Sequence, residues 1–279
     1  MLLTARNFRF TFPRPAMVMG IINVTPDSFS DGGQFFDGAA AVAHGIMLAE
    51  QGAEILDVGG ESSRPKAHSV DASEELRRVL PVITKLAKAV KVPLSIDTTK
   101  PEVARAALAA GASIVNDIKA NRQDPEMFEL VSKTGAGYVC MHMQGTPETM
   151  QSNPTYSDVV AEVAEFFRER IQRLQACGVR SEQIILDPGI GFGKTVNHNL
   201  QLLAALPRFT GLGCPVMLGA SRKAFIGKFF GTELASRLPG SLACAVLAVR
   251  AGVQIIRAHD VAETVQAIRV AEAISEKSI

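Results

Sequence analysis

The chain lacks any run of about 18 uninterrupted apolar residues, the length a membrane-crossing helix needs. A membrane partner is therefore not expected. The opening MLLTARNFRFTFPRP alternates Phe10 with Phe12 but has no signal-peptide core, so a cytoplasmic location is expected. Excess charge is missing as well. With 29 basic and 28 acidic residues the net charge is +1, without the positive surplus that binding to polyanions brings, so nucleic acid is not an expected partner. There is no CxxC pair. Cys140, Cys177, Cys214 and Cys244 stand far apart, which argues against a disulfide framework or zinc site and for small buried thiols. No Pro/Ser-rich linker or change of composition divides the 279 residues, and 47% hydrophobic content supports a sizeable core.

What is present is a repeating order of short β-rich runs and longer segments of helical period. AMVMGII (16–22) precedes Asp37 and then Val42, Ile46, Ala49 and Ala53, one helical face closed by Gly52. EILDVGG (54–60) precedes Ser73, a candidate N-cap, and Leu76, Val79, Leu80, Ile83 and Leu86 at helical spacing. VPLSID (92–97) leads to Pro101 and an alanine-rich helix ending at Gly111, and ASIVND (112–117) to a helix around 125–134. GYVCMH (137–142) precedes a helix from about Ser157 to Cys177, and QIILD (183–187) one near 197–206. CPVMLGAS (214–221) leads into helical material through about 252, and VQIIRAH (253–259) into a last helix from Asp260 to about Ile274. Eight βα units in roughly 250 residues predict a closed (β/α)8 barrel, an α/β TIM barrel, as a single domain over 16–279 with 1–15 as an extension packed on it. An open doubly wound sheet is the alternative, because periodicity does not report closure.

In such a barrel chemistry collects where strands end. The ends carry Asn23, Asp57, Asp97, Asn116 with Asp117, His142, Asp187, then Ser221 with Arg222 and Lys223, and finally Arg257 with His259. One Asp at a strand end commonly caps a helix or closes a turn, and Asp57 and Asp117 fit that reading. Polar groups at all eight ends point instead to a site. PGIGFGKT (188–195) looks like a phosphate loop, but Pro188 replaces its first glycine and Lys194 breaks a dinucleotide pattern begun at Gly189. His142 and His259 have no third ligand at metal spacing and read as hydrogen-bonding residues.

NVTPDSFSDGG (23–33), DVGGESSRP (57–65), SIDTTKPEVARAALAAGASIVNDI (95–118), ILDPGIGFGKT (185–195) and GASRKAFIG (219–227) resemble, in order, the signature segments of the dihydropteroate synthase family. The resemblance runs over nearly the whole chain from about residue 16. It implies an enzyme of folate biosynthesis, a sulfonamide target, that joins 6-hydroxymethyl-7,8-dihydropterin diphosphate to 4-aminobenzoate and releases diphosphate and 7,8-dihydropteroate. By that resemblance Asp97, Asn116, Asp187 and Lys223 form the pterin pocket, with Lys223, Asp97 and Arg257 the catalytic set. Asn23, Ser63, Arg64, Arg257 and His259 would hold the diphosphate, with Asn23 also the ligand of a Mg2+ cofactor. Ser63, Arg64, Pro65, Phe192, Ser221 and Lys223 would surround aminobenzoate. A homodimer is also implied, with Ala245, Val246, Val249 and Ala271 at helical spacing either facing a partner or covering the barrel.

The residue types suit these tasks on their own chemistry. A pterin edge mixes donors and acceptors, which a carboxylate, an amide and an ammonium together satisfy. NVTPDSFSDGG carries two carboxylates and no basic residue, so diphosphate there calls for a metal. Gly32 and Gly33 suit a bending loop over the substrate. Ser63 stands where the family often has threonine, and Lys66 where glycine is more usual, which leaves sulfonamide sensitivity open. A methyltetrahydrofolate-type methyltransferase would share the pterin-facing Asp and Asn but have no use for a diphosphate loop. A non-catalytic pterin-binding relative is the other alternative.

Overall fold

The computed structural model describes residues 1–25, 38–62, 69–120, 125–231 and 233–277. An antiparallel hairpin, β1 (Leu2–Ala5) and β2 (Phe8–Thr11), comes first. Strands and helices then alternate: β3 (Met17–Asn23), α1 (Gly38–Glu50), β4 (Ile55–Gly59), α2 (Ala72–Ala89), β5 (Leu94–Asp97), α3 (Pro101–Ala109), β6 (Ile114–Asp117), α4 (Glu126–Thr134) and β7 (Gly137–Met141). The second half runs α5 (Val159–Ala176), β8 (Ile184–Asp187), α6 (Val196–Ala204), α7 (Leu206–Thr210), β9 (Met217–Leu218), α8 (Ala224–Phe230), α9 (Leu238–Arg250), β10 (Ile255–Ala258) and α10 (Val261–Ser275). The eight later strands pair in parallel in the order β8, β7, β6, β5, β4, β3, β10, β9. One parallel bridge, Leu186 to Val216, closes the ring, with the Leu186 N–H donating to the Pro215 carbonyl at 2.8 Å. The chain therefore forms the expected (β/α)8 barrel, and closure removes the open-sheet alternative. Among the described residues no helix is long and apolar enough to cross a membrane.

Strand alternation sorts most of the strand residues into two of the core's three clusters. Val18, Ile22, Leu56, Val58, Ile96, Val115, Tyr138, Leu186 and Ile256 point outward and pack with helix residues such as Leu48, Ile83, Phe128 and Phe167. Met17, Met19, Ile55, Ile114, Val139, Ile185, Met217 and Ile255 point inward and cluster with Leu3, Ala5 and Phe12 of the N-terminal segment. The hairpin thus plugs the end of the barrel where the strands begin. Arg6 fastens it there: its N–H donates to the Gly135 carbonyl at 2.8 Å, and its guanidinium donates to the carbonyls of Leu108 (2.6 Å) and Ala112 (2.8 Å).

Two local expectations change. The buried face of α1 is Ala41, Gly45 and Leu48, one step from Val42, Ile46 and Ala49, which are only partly buried. The helix lies so close to the sheet that a Cβ on Gly45 would meet Ile22 Cδ1 at 2.8 Å and Leu86 Cδ2 at 2.9 Å, and a glycine leaves no apolar mark in the sequence. The N-cap of α2 is Asp71, whose carboxylate accepts from Glu74 N–H at 2.8 Å, while Ser73 donates to that same carboxylate at 2.7 Å. Of the four positions at helical spacing, Ala245 and Ala271 are buried and Val246 and Val249 half-buried; the exposed apolar side chains of these helices include Leu247, Val270 and Ile274. Asp37 lies outside the described residues.

Because Arg6 grips the end of the barrel remote from the polar strand ends, Arg6→Ala separates stability from chemistry. Loss of its charged hydrogen bonds should lower unfolding stability by about 1.5–3 kcal/mol in a denaturant titration. Steady-state constants of the folded variant should stay unchanged.

Candidate active site

Toward the strand ends the inward positions turn from apolar to polar. On β4, β5, β6, β8 and β10 they are Asp57, Asp97, Asn116, Asp187 and Arg257. Register keeps them level: Asn23 pairs with Gly59, Gly59 with Asp97, and Asp97 with Asn116. Gly59 and Gly219 contribute no side chain, which leaves room among them; a Cβ on Gly219 would sit 3.8 Å from Asp187 Oδ2. The result is a recess at the strand ends, partly open to solvent. Apolar Ile118, Met141 and Phe192 line it together with Lys223 and Arg257.

The Arg257 guanidinium bridges two carboxylates, with Nε 2.7 Å from Asp57 Oδ2 and Nη2 2.9 Å from Asp97 Oδ2. Asn116 Nδ2 donates to the same Asp57 oxygen at 2.9 Å. Burial and the neighbouring Asp57 charge push the Asp97 carboxyl well above the usual carboxylate range, against the pull of Arg257. Burial also raises Asp187, which the Gly189 N–H opposes by donating to its Oδ1 at 2.7 Å. The Lys223 ammonium is brought down to about 8 by burial and by Arg257. Its Nζ sits 4.0 Å from the centre of the Phe192 ring, a cation–π contact. Asp57 itself is 0% exposed, and its Oδ1 has no hydrogen-bond partner among the described residues. A buried group left so costs roughly 1–3 kcal/mol, so stability alone does not account for this carboxylate.

At the neighbouring rim, Ser221 Oγ accepts from the His259 N–H at 3.1 Å and lies 3.0 Å from His259 Nδ1. Donation of the hydroxyl proton to Nδ1 leaves the imidazole proton on Nε2. Burial, Arg257 and Arg222 lower His259 to about 3, so the ring is neutral at physiological pH. Arg222, between Ser221 and Lys223, holds a left-handed φ of +56° and forks onto the Asp260 carboxylate. That pair ties the β9–α8 turn to the start of α10.

Half of the site residues expected from sequence converge here: Asp97, Asn116, Asp187, Phe192, Lys223 and Arg257 share the recess. Ser221 and His259 stand beside it with their side chains committed to each other. Ser63, Arg64, Pro65 and Lys66 lie outside the described residues, as do Gly32 and Gly33. Asn23 ends β3 half-buried, and its side-chain amide has no hydrogen bond among the described residues. A single amide oxygen suits Mg2+, which commonly takes one or two protein oxygens beside phosphate and water. Among the described residues no cluster of His, Cys, Asp and Glu would hold a metal without such help.

Asp117 is a turn residue as expected: it faces outward, accepting from Lys119 N–H and from the Tyr138 hydroxyl, each at 2.9 Å. Asp57 is not. Its position on β4 has the parity of Ile55, so it enters the barrel, and only the inward period of the strand distinguishes it from a turn aspartate. The PGIGFGKT loop also acquires a role. Lys194 is buried, donates to the Phe192 carbonyl at 2.9 Å and the His142 carbonyl at 3.2 Å, and lies 3.0 Å from His142 Nδ1. Gly189, at φ +66°, lies where a Cβ would come 2.0 Å from the His142 carbonyl oxygen. The lysine thus fastens the loop that carries Phe192 to the end of β7.

A family model described as pterin binding enzyme matches residues 19–259. The dihydropteroate synthase of Escherichia coli K12 is 50% identical over 256 residues, 92% of this chain and 90% of that one. Among solved structures, the Yersinia pestis dihydropteroate synthase in a sulfonamide drug complex superposes with a TM-score of 0.92 at 44% identity, covering 99% of this chain and 100% of that one. The Xanthomonas albilineans dihydropteroate synthase in complex with 7,8-dihydropteroate gives 0.89 at 47% identity, covering 99% of each. With the barrel, the charged recess and these likenesses together, the chain belongs to the dihydropteroate synthases of the pterin binding enzyme family.

Proposed function

We propose that this chain condenses 6-hydroxymethyl-7,8-dihydropterin diphosphate with 4-aminobenzoate to 7,8-dihydropteroate and diphosphate, a transferase step of folate biosynthesis open to sulfonamide competition. The observation that carries the reading is the convergence of Asp97, Asn116, Asp187, Lys223 and Arg257 on one recess with an apolar wall. The 7,8-dihydropteroate held by the Xanthomonas albilineans relative unites the two halves this reaction joins. A methyltransferase reading has no use for the NVTPDSFSDGG segment.

In this reading Asp187, with Oδ1 already holding the Gly189 N–H, offers Oδ2 to the donor edge of the pterin. Asp97 and Asn116 meet the ring from neighbouring strands, and Ile118, Met141 and Phe192 enclose its faces. An arylamine is a weak nucleophile and diphosphate a good leaving group, so bond breaking runs ahead of attack. Arg257, with Arg64 and Ser63 from the second loop, steadies the departing charge, and neutral His259 donates through Nε2. Bound Mg2+, with Asn23 as its protein ligand, would neutralise phosphate charge. Lys223 lies between the pterin and aminobenzoate places, where Pro65, Phe192 and Ser221 complete the second site. The protein's contribution is positioning and charge stabilisation, and positioning alone is worth on the order of 7–11 kcal/mol in favourable systems.

We further read the protein as a cytoplasmic homodimer of single-domain chains, each a barrel over 16–279 with 1–15 as its extension. Exposed Phe229, Phe230, Leu247, Val270 and Ile274 on α8, α9 and α10 support an apolar partner face.

Given dihydropterin diphosphate, Mg2+ and 4-aminobenzoate, the purified protein should release diphosphate and dihydropteroate in equal amounts. Lys223→Ala should lower kcat/KM by about 100-fold or more, the scale for losing one preorganised charge-stabilising group. Unchanged turnover would remove Lys223 from the mechanism. The profile of kcat/KM against pH should be bell-shaped. Asp97 works ionised, so activity falls as pH drops through its raised value, well above about 4 for a free carboxylate. Lys223 works protonated, so activity falls as pH rises through about 8.

A further inference from the structure

We infer that Asp57, which lies beneath the recess and is absent from its lining, is the positioning residue that sets which atoms Asn116 and Arg257 present to the ligand. The inference rests on the pterin reading above. A carboxylate can only accept hydrogen bonds, so the Asn116 amide, 2.9 Å away, must turn its NH2 to Asp57. Its carbonyl oxygen is then left for the recess that Asn116 lines, as an acceptor for a ligand N–H. Without Asp57 the two amide orientations become closely similar in shape and the pocket could present a donor instead. The same Asp57 oxygen takes Arg257 Nε at 2.7 Å, while Asp97 takes Nη2 at 2.9 Å. With these two nitrogens fixed, the plane of the guanidinium is fixed, and so is the direction in which its remaining N–H groups point.

The burial of Asp57 supports a role exercised through its neighbours. Its side chain is 0% exposed, so it cannot itself reach a ligand. Among the described residues only one of its oxygens is used, and that one carries both contacts. Ser95, its register partner on β5, also has a hydroxyl without a hydrogen-bond partner among the described residues. An arrangement selected for stability would have satisfied or removed these atoms; this one keeps a single oxygen where it orients an amide and a guanidinium together.

The test measures binding of 6-hydroxymethyl-7,8-dihydropterin, without diphosphate, by calorimetry, along with kcat, both KM values and the pH profile. Wild type, Asp57→Asn and Asp57→Ala are compared, with outward-facing Asp117→Asn as a buried-carboxylate control. Asp57→Ala should lose about 10-fold or more in pterin affinity and in kcat, the scale of a buried charged hydrogen bond, although it touches no ligand. Asp57→Asn, close in shape and checked for its fold by circular dichroism, should lose less but move the acid flank of kcat/KM to lower pH. The groups facing Asp97 are Asp57 on β4, Arg257 on β10, Glu75 on α2 and Lys223 before α8, and removing the Asp57 charge removes repulsion that holds Asp97 up. Asp117→Asn should leave both affinity and flank where they are. Pterin affinity within twofold of wild type in Asp57→Ala, or an unmoved acid flank in Asp57→Asn, would overturn the inference. Absence of pterin binding by the wild-type protein would overturn the reading on which it rests.

Discussion

One guanidinium between two carboxylates organises the mouth of this barrel. Arg257 joins Asp57 on β4 to Asp97 on β5, so three of the eight strands share a charge system that none could carry alone. Asp97 is pushed up by burial and by Asp57, Lys223 down by burial and by Arg257, and Asp187 up by burial. Both leading shifts oppose stability near neutral pH. A carboxyl whose folded value is raised binds protons that the unfolded chain has given up, so stability declines as pH climbs toward that value. An amine whose folded value is lowered binds fewer protons than the unfolded chain, so stability is regained only as pH rises above about 8. The charges persist in a place that does not reward them by folding, which is the mark of a site kept for a ligand.

The rest of the architecture makes that concentration of charge tolerable. On β3, β4, β6, β8 and β10 the inward positions begin as Met and Ile, sealed from below by Leu3, Ala5 and Phe12, and turn polar toward the rim, whereas β5 is polar already at Ser95 and β7 stays apolar to Met141. The outward positions are apolar along most of each strand and pack on the helices, with Asp117 at the rim of β6 the polar exception. Folding energy therefore comes from the helix-facing layer and the barrel base, while the mouth is free to hold Asp, Asn, Lys and Arg together.

Much of this was legible in the residues. Strands buried on both sides read as unbroken apolar runs, and the order of eight strand–helix units gives the barrel without knowledge of any contact. What escaped has particular causes. The α1 face was misplaced by one step because its closest contact is made by Gly45, which carries no hydrophobic signal. Asp71 displaced Ser73 as a cap because both are good cappers two residues apart, and only backbone geometry decides between them. Asp57 was set aside as a turn residue because one aspartate after an apolar run looks the same whether it faces in or out; its parity with Ile55 was the available clue. The grip of Lys194 on the His142 carbonyl depends on a loop meeting the end of another strand 52 residues away in sequence, which local pattern does not encode.

The way the ring is closed has a thermodynamic corollary. Between β8 and β9 the sheet is joined by one bridge, β9 has only two residues, and Pro215 brings no N–H to the seam. Asp187 stands on one bank of that seam and Lys223 follows the other. A molecule held by both acts as a clasp across the thinnest join of the cylinder, so occupancy tightens the closure itself. Amide exchange at Leu186 then becomes a gauge of how full the pocket is.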